Sequence, residues 1–307
     1  MYDKVKMWED RFKIAEAYDS IPCLLDSVEE KTDRDTGEVT IFGKLGGLKV
    51  NLYTGGMTIK GSLPKFLHGN NVEGLDRRGT AEAIEKLSDM LHLKINDAQI
   101  KRFEFGGNFL MKHEIGEYLS RLGAIPRLQR EVIDGSLYYQ GKGQKKPKVL
   151  TFYDKLSEAD AKGMNYPDIL RGQHILRYEM RFNHRLPKLL NVAEVRASTL
   201  SEKAFYIHLA KMYSDFYFSI RKHSNCMDMG KIRTTPAKAA EGILGALVSM
   251  TDPDTVRQLI ERYEFDDAKY STRLKDRIAK AVSEAVTGSD EHIKELDDCI
   301  RNCAAWI

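Results

Sequence analysis

The sequence predicts an α+β fold: a mixed, mostly antiparallel sheet with helices on one face, followed by a C-terminal helical region. Three observations predict it. Short stretches of alternating apolar and polar residues recur up to about residue 190, several of them beside glycine turns. Amphipathic helical stretches lie between these strands. From about Leu200 only helical periodicity remains, so we expect two domains, residues 1–195 and residues 196–307.

The first part of the predicted sheet is a meander. Residues 1–8 alternate Val5 and Met7 with lysines and predict the first strand. After a helical or irregular stretch, three more strands are predicted, at 39–42, 48–53 and 57–63. Apolar residues at helical spacing then predict an amphipathic helix over residues 80–91.

The second part of the predicted sheet contains the longer strands. They are predicted at 99–111, 128–139, 148–154 and 175–183, with a short helix near residues 114–122. The basic segment 141–148 is predicted to be a hairpin loop. In the tail, Thr235-Pro236 and Asp252-Pro253 each indicate an N-cap followed by proline at the first helical position.

Composition favours an ordinary globular protein. The 307 residues are 42% hydrophobic and 30% charged, which excludes a disordered chain. No apolar run approaches the ~20 residues of a membrane span, and the first residues lack the apolar core of a signal peptide, so we expect a cytoplasmic protein without a membrane partner. The net charge is +3, but residues 127–188 hold 13 Lys and Arg against 7 Asp and Glu. That is a modest footprint for DNA or RNA.

The strand at 148–154 carries a candidate nucleophile. Strand alternation places Tyr153 and Lys155 on one face. A tyrosine of pKa about 10 is almost entirely protonated at neutral pH, so it needs a metal or a cation before it can attack a phosphate. Lys155 supplies part of that cation effect in this interpretation. The alternative is that Tyr153 is a half-buried packing residue.

Two neighbouring strands each place a glutamate in mid-strand. Glu104 shares a face with Arg102 and Asn108, and Glu179 shares a face with Arg177 and Arg181. A carboxylate facing a covered surface is costly unless it is paired or binds a metal, so these strands indicate an oxygen-ligand site for Mg²⁺ or Mn²⁺. A solvated sheet face with Glu–Arg cross-strand pairs is the alternative.

Two further acidic residues follow Tyr153. Asp154 points the other way on strand alternation and is a candidate N-cap of the next helix. Glu158 lies one helical turn on and is either a ligand or a solvated helix residue. Both are retained as candidates for a third metal ligand.

Six stretches together resemble the replication proteins of the filamentous-phage gene II/X type, relatives of the Rep-trans initiators of rolling-circle plasmids. They occur in the family's order and cover roughly residues 1–190: 1–8, 60–71, 103–109, 136–139, 151–158 and 176–181. The C-terminal helical region has no matching motif. The resemblance implies a Rep-like nicking fold for the first domain.

The resemblance also implies an activity and its residues. It implies a rolling-circle replication initiator that cuts one strand at an origin, stays attached to the 5′ phosphate through a tyrosine, releases a 3′ hydroxyl and later reseals the strand. Tyr153 is then the nucleophile, with Tyr138 and Tyr139 as rivals, and Glu104 and Glu179 are the metal ligands. The implied partners are origin DNA, a host helicase and polymerase, and a possible second copy of the chain.

Basic residues near the strands are the predicted DNA contacts. They comprise the hairpin lysines and the strand residues beside the glutamates: Lys142, Lys145, Lys146, Lys148, Arg102, Asn108, Arg177 and Arg181. Two other functions stay open. One is an origin-binding protein without catalysis, and the other is a relaxase or transposase that uses the same tyrosine chemistry.

Overall fold

A computed structural model describes residues 2–72, 74–223, 235–251, 253–284 and 290–303. Ten strands form one sheet: β1 Tyr2–Asp10, β2 Asp26–Thr32, β3 Val39–Leu45, β4 Leu48–Tyr53, β5 Gly56–Ser62, β6 Gln99–Met111, β7 Gln129–Ile133, β8 Ser136–Gln140, β9 Lys148–Asp154 and β10 His174–Phe182. Their spatial order is β2-β3-β4-β5-β1-β6-β10-β9-β8-β7, and every described pairing is antiparallel.

Ten α-helices accompany the sheet in the described part of the chain: α1 Leu63–His68, α2 Arg77–Leu91, α3 Ile115–Ser120, α4 Lys155–Ala161, α5 Leu186–Leu190, α6 Lys203–Phe218, α7 Pro236–Met250, α8 Pro253–Glu261, α9 Ala268–Glu284 and α10 Glu291–Asn302. The α+β prediction, with a largely antiparallel sheet and C-terminal helices, is confirmed. No described helix has the length and apolarity that crossing a membrane requires.

The apolar face of the sheet is unusually aromatic. Alternation along β6, β9 and β10 sends Phe103, Phe105, Phe152 and Tyr178 to this side, where all four are buried. The rings of Phe152 and Tyr178 stack with centroids 4.2 Å apart. The opposite face of the same three strands carries the charged residues. Each strand therefore has one face that packs in the core and one polar face.

Helix α6 closes the apolar face. Its residues Phe205, Tyr206, Leu209 and Tyr213 belong to the same hydrophobic cluster as the strands. The Tyr213 hydroxyl donates to the Tyr178 carbonyl oxygen at 3.0 Å. Helix α10 joins the same cluster through its buried residues. The predicted boundary at residue 195 therefore precedes helices that complete the core of the sheet, and the two-domain division stays a prediction.

The predicted strand at 128–139 is wrong in one respect. It is a hairpin, β7 and β8, that turns at Asp134 and Gly135 with φ angles of 48° and 72°. Two consecutive positive φ values are the requirement of a type I′ turn, which Asp-Gly satisfies. Strand β2 was not predicted, because all its residues are exposed and it has no apolar alternation.

The C-terminal predictions are confirmed where the structure describes them. Thr235 caps α7, its side chain accepting from the backbone N–H of Lys238. Helix α10 buries Leu296 and Ile300. Asp252 lies outside the described residues.

Two tyrosines of α6 make a matched stability test. The buried hydroxyl of Tyr206 has no hydrogen-bond partner within the described residues, whereas that of Tyr213 has one. We expect Tyr213→Phe to lower the free energy of unfolding by about 1–2 kcal/mol, because a buried carbonyl loses its donor. Tyr206→Phe should leave it unchanged or raise it. Urea titration of both variants measures the difference, and equal losses would contradict this assignment.

Candidate active site

Three carboxylates meet on the polar face at the centre of the sheet. Asp3, Glu104 and Glu179 come from the adjacent strands β1, β6 and β10, and one oxygen of each lies within 4.8 Å of the others. Glu104 and Glu179 are each 1% exposed and Asp3 is 3% exposed. Carboxylates are rarely buried in this way unless paired or bound to a cation. Asp3, Glu104 and Glu179 are called the carboxylate triad below.

A β-bulge brings Asp3 into the triad. Tyr2 pairs with Phe105 and Val5 with Phe103, so β1 has one residue more than β6 over this interval. Both Asp3 and Lys4 therefore lie beside Glu104, and the Lys4 ammonium is 3.3 Å from its Oε2. A regular strand would send these two neighbours to opposite faces.

Gly106 leaves the space that Glu179 occupies. The two residues are paired across β6 and β10. A Cβ atom at Gly106 would lie 2.4 Å from the Tyr178 carbonyl oxygen and 2.7 Å from the Glu179 Cβ atom. The glycine is therefore required by the close approach of two strands beneath the triad.

Arg177 links the triad from within. Its guanidinium donates to Glu179 Oε2 at 2.8 Å, to Asp3 Oδ2 at 2.9 Å and to Asn108 Oδ1 at 3.1 Å. The residue is buried. Arg177 is one of the predicted DNA contacts, and in the structure its donors are directed to three strands of the protein itself.

Three further cations border the triad nearer to solvent. Arg102 donates to Glu104 at 2.9 Å and Arg181 donates to Glu179 at 2.6 Å, while Lys4 contacts Glu104. These side chains are 33%, 26% and 49% exposed, respectively. The Glu–Arg pairing anticipated by the solvated-face alternative is therefore present, but the carboxylates are buried.

The two glutamates differ in electrostatic environment. Burial raises the pKa of Glu104, and the neighbouring Glu179 carboxylate adds to the rise. Burial also opposes ionisation of Glu179, but Arg177 and Arg181 outweigh it and hold its pKa below the usual value. Glu179 therefore carries a firm negative charge, and Glu104 gains most from an added cation.

Tyr153 lies next to the triad on β9. Its hydroxyl donates to Glu179 Oε2 at 3.3 Å, and Arg177 is its cross-strand partner. Burial raises the pKa of Tyr153 well above its usual value; Arg177 opposes the rise, and Glu179 adds to it. The phenol is thus protonated at rest and directed at the carboxylate site.

Of the rival tyrosines, Tyr139 is buried and donates to the Gly123 carbonyl oxygen, whereas Tyr138 is half-buried.

Lys155 takes a different place from the one that alternation predicts, because the strand ends before it and α4 begins. Its buried ammonium donates to Glu158 at 2.7 Å and to Asn71 Oδ1 at 3.1 Å. Asn71 in turn donates to Asp3 at 3.1 Å. Lys155 therefore reaches the triad through Asn71. Glu158 also pairs with Lys162.

Asp154 is the N-cap of α4. Its carboxylate accepts from the backbone N–H groups of Leu156 at 2.9 Å and Ser157 at 3.1 Å, as the capping interpretation predicts. The structure brings Glu104, Glu179 and Tyr153 together with Asp3. Asp154 and Glu158 lie outside the group of carboxylates that share one centre.

The hairpin lysines lie away from the triad in the loop between β8 and β9. Lys142 and Lys145 are exposed and Lys146 is half-buried. Lys148 lies on β9 with its ammonium 3.2 Å from the centroid of the Phe216 ring, and burial lowers its pKa to about 8. Asn108 accepts from Arg177 and donates to the Val72 carbonyl oxygen.

Sequence reasoning missed Asp3, Lys4 and Asn71. All three lie in stretches that carry the family resemblance, so that signal was available. A second group of metal-ligand residues, His113, Glu117 and His292, joins α3 to the start of α10. It lies on different elements from Tyr153.

The triad fits a hard divalent cation. Its donors are all carboxylate oxygens, which suit Mg²⁺ or Mn²⁺ better than softer metals. The cations that now pair with it are mostly half-exposed, so Lys4, Arg102 and Arg181 have room to turn toward an anionic ligand. Arg177 is buried and remains as the internal counter-charge. Asp3, Glu104 and Glu179 are therefore the residues that could hold the metal.

A protein-family model matches the chain. The family described as the N-terminal part of the phage replication-associated protein of the gene II type matches residues 31–213, more than half of the chain. This range includes Glu104, Tyr153 and Glu179, and it extends through most of α6. No curated protein matches the chain.

Two glycines test the packing beneath the triad. Gly106→Ala should destabilise the protein by about 1–3 kcal/mol, because the new Cβ overlaps the backbone of β10. Gly116→Ala is the control: nothing lies within 4 Å of its Cβ position on α3, so we expect a small gain. Thermal unfolding compares the two, and a stable Gly106→Ala variant would contradict the close approach.

Arg177 gives a pH-dependent prediction. Arg177→Met should cost about 3–5 kcal/mol at neutral pH, since buried Asp3 loses its ion-pair partner and buried Glu179 keeps Arg181 but loses Arg177. The pKa of Glu179 in the folded protein is lowered, so the pair's stabilisation is present at neutral pH and is lost as pH falls. The deficit of the variant should therefore shrink in acid. Urea titrations at several pH values, with exposed Arg196→Met as control, measure it; a constant deficit would contradict the pairing.

Proposed function

Because this chain belongs to the phage replication-associated proteins of the gene II type, we propose that it nicks and rejoins one DNA strand at a replication origin through Tyr153. The family supports a role in initiating replication. The observation that carries the finer proposal is the hydrogen bond between Tyr153 and Glu179. It places a candidate nucleophile against a buried triad of metal-type ligands.

The proposed ligand set is Asp3, Glu104 and Glu179, with Asp3 taking the third position in place of Asp154 or Glu158. A bound Mg²⁺ or Mn²⁺ supplies Lewis-acid polarisation of the scissile phosphate and offsets negative charge on its oxygens. Arg177 keeps Asp3 and Glu179 aligned from below.

In the proposed reaction the Tyr153 oxygen attacks the phosphorus atom. The bond from phosphorus to the 3′ oxygen breaks, a bond from phosphorus to the tyrosine oxygen forms, and the 3′ oxygen takes up a proton. The phenol proton has Glu179 as its nearest acceptor in the site. Arg181, Arg102 and Lys4 are placed to stabilise the phosphate oxygens. Attack by water would release the strand, whereas attack by tyrosine keeps it attached for rejoining.

We also propose the partners that this chemistry requires. Origin DNA supplies the strand, and a host polymerase and helicase use the released 3′ hydroxyl. Lys142, Lys145 and Lys146 are retained as contacts to flanking DNA, since they project from the loop beside the nucleophile strand. Two cleavage events per round favour a homodimer, and light scattering of the intact chain measures its mass.

The experiment is incubation of the protein with Mn²⁺ and labelled single-stranded origin oligonucleotides, followed by a denaturing gel. We expect a protein-linked band that chelator removes and that Tyr153→Phe abolishes. Tyr138→Phe is the matched control, because this half-buried phenol pairs with β9 yet has no hydrogen bond to the triad among the described contacts. It should retain the band.

The metal ligands add a second arm. Glu104→Gln and Asp3→Asn should each weaken Mn²⁺ binding, measured directly by calorimetry, and reduce the adduct by about 10²-fold or more. Cleavage that persists in Tyr153→Phe but is lost in Tyr138→Phe would show that Tyr138, rather than Tyr153, is the nucleophile. Binding of the origin without any cleavage would favour an origin-binding protein that lacks catalysis.

A further inference from the structure

Five cations stand in one line across the sheet. Lys44 pairs with Lys49, Lys49 with Lys60, Lys60 with Lys6 and Lys6 with Arg102, on the successive strands β3, β4, β5, β1 and β6. Directly paired residues of an antiparallel sheet project from the same face. With strands about 4.8 Å apart, the line is about 19 Å long. We call these five residues the cation row.

The cation row ends at the carboxylate triad. Arg102 and Glu104 are two residues apart on β6, and the Arg102 guanidinium donates to Glu104 at 2.9 Å. The row therefore lies on the polar face, on the side of the triad opposite to Tyr153. Tyr153 pairs with Arg177 and Arg177 with Asn108, six residues along β6 from Arg102. A chain that follows the row therefore turns along the strands at Arg102 to reach the triad and then the nucleophile.

Such a row is unfavourable for the sheet alone. Like charges directly opposite each other destabilise strand pairing. None of the four lysines forms a salt bridge within the described part of the chain. Lysines often protect exposed sheet edges, but β4, β5 and β1 are paired on both sides, so edge protection does not account for Lys49, Lys60 and Lys6. An anionic ligand on this face would relieve the repulsion among the lysines.

Aromatic rings accompany the row. Trp8 is two residues from Lys6 on β1, and its ring lies 6.3 Å from that of Tyr53 with a tilt of 35°. Both rings line a groove of about 980 Å³ together with Lys6, Lys60, Lys101 and Arg102. Among the described residues of this groove none is acidic. A positively charged groove with aromatic faces is the arrangement that binds single-stranded nucleic acid, because unpaired bases stack on the rings.

We propose that the cation row and the Trp8–Tyr53 groove bind a single DNA strand that crosses β3, β4, β5 and β1 and presents its phosphate to the carboxylate triad. The strand's phosphates contact the lysines, and unpaired bases contact Trp8 and Tyr53. A duplex keeps its bases stacked on one another and so leaves the rings unused. That a phosphate is then cut rests on the proposed function; the binding itself does not.

The test measures binding of labelled oligo(dT) by fluorescence anisotropy over a salt series in chelator, so that no cleavage is needed. Each phosphate contact contributes about 0.7 to the slope of log affinity against log salt on single strands. We therefore expect Lys49→Gln/Lys60→Gln to lower the slope by about 1.4. Lys203→Gln/Lys211→Gln is the matched control, with the same charge change on α6, which packs on the other face. Its slope should stay that of the parent.

Trp8 gives an independent readout. Trp8→Leu should weaken oligo(dT) binding about tenfold with an unchanged salt slope, since stacking carries no charge. Quenching of tryptophan fluorescence by oligo(dT) should be lost in the conservative variant Trp8→Phe. Trp306, the other tryptophan of the chain, remains in that variant and supplies the fluorescence in which quenching is measured.

The outcomes separate this proposal from the proposed function. The lysine variants should unfold at an unchanged or higher temperature, because repulsion is removed, and Lys60→Gln alone should show about half of the slope change. Equal slopes for the row variant and the α6 control would overturn the proposal even if Tyr153 cleaves origin DNA. A row-dependent slope without any Tyr153 adduct would uphold it and reject the nicking function. An equal loss for duplex of the same length would also overturn the single-strand assignment.

Discussion

The buried guanidinium of Arg177 is the interaction on which the polar half of the molecule depends. It joins three strands through Asp3, Glu179 and Asn108, at distances of 2.8–3.1 Å. Three carboxylates could not stay buried within 4.8 Å of one another without a counter-charge. The buried Arg177 offsets part of this repulsion permanently. The half-exposed Lys4, Arg102 and Arg181 have room to turn away from the carboxylates. The site is thereby held in shape and still able to exchange partners.

The buried charges are tolerated because the two faces of the sheet have different roles. Stability comes from the aromatic face, where β6, β9 and β10 pack against α6. The opposite face carries charges that in places oppose folding, as in the line of Lys44, Lys49, Lys60 and Lys6. Because side chains alternate along each strand, neighbouring residues pack in the core and form the charged site on opposite faces of the sheet.

Local rules predicted much of this from the sequence. Alternation alone placed Glu104 on the same face of its strand as Arg102, and Glu179 on the same face of its strand as Arg177 and Arg181. The bounds of β6 were predicted at 99–111. The Asp134-Gly135 pair is typical of a hairpin turn, but the apolar residues on both sides of it favoured one continuous strand. Asp3 could not be placed, since a bulge shifts the alternation of β1 and depends on its pairing with β6. The cation row was equally hidden: it follows from the register of five strands, and no local pattern encodes register.

Tyr153 and the triad are fixed to adjacent strands of one continuous sheet, with hydrogen-bonded ladders on both sides of β10. No hinge lies between them in this described part of the sheet. In the proposed reaction the attached strand would stay where it was made, facing the same carboxylates and the same arginines. By microscopic reversibility, a site that favours cutting in this geometry favours rejoining equally. Direction would then be set by which 3′ hydroxyl arrives, rather than by any movement of the protein.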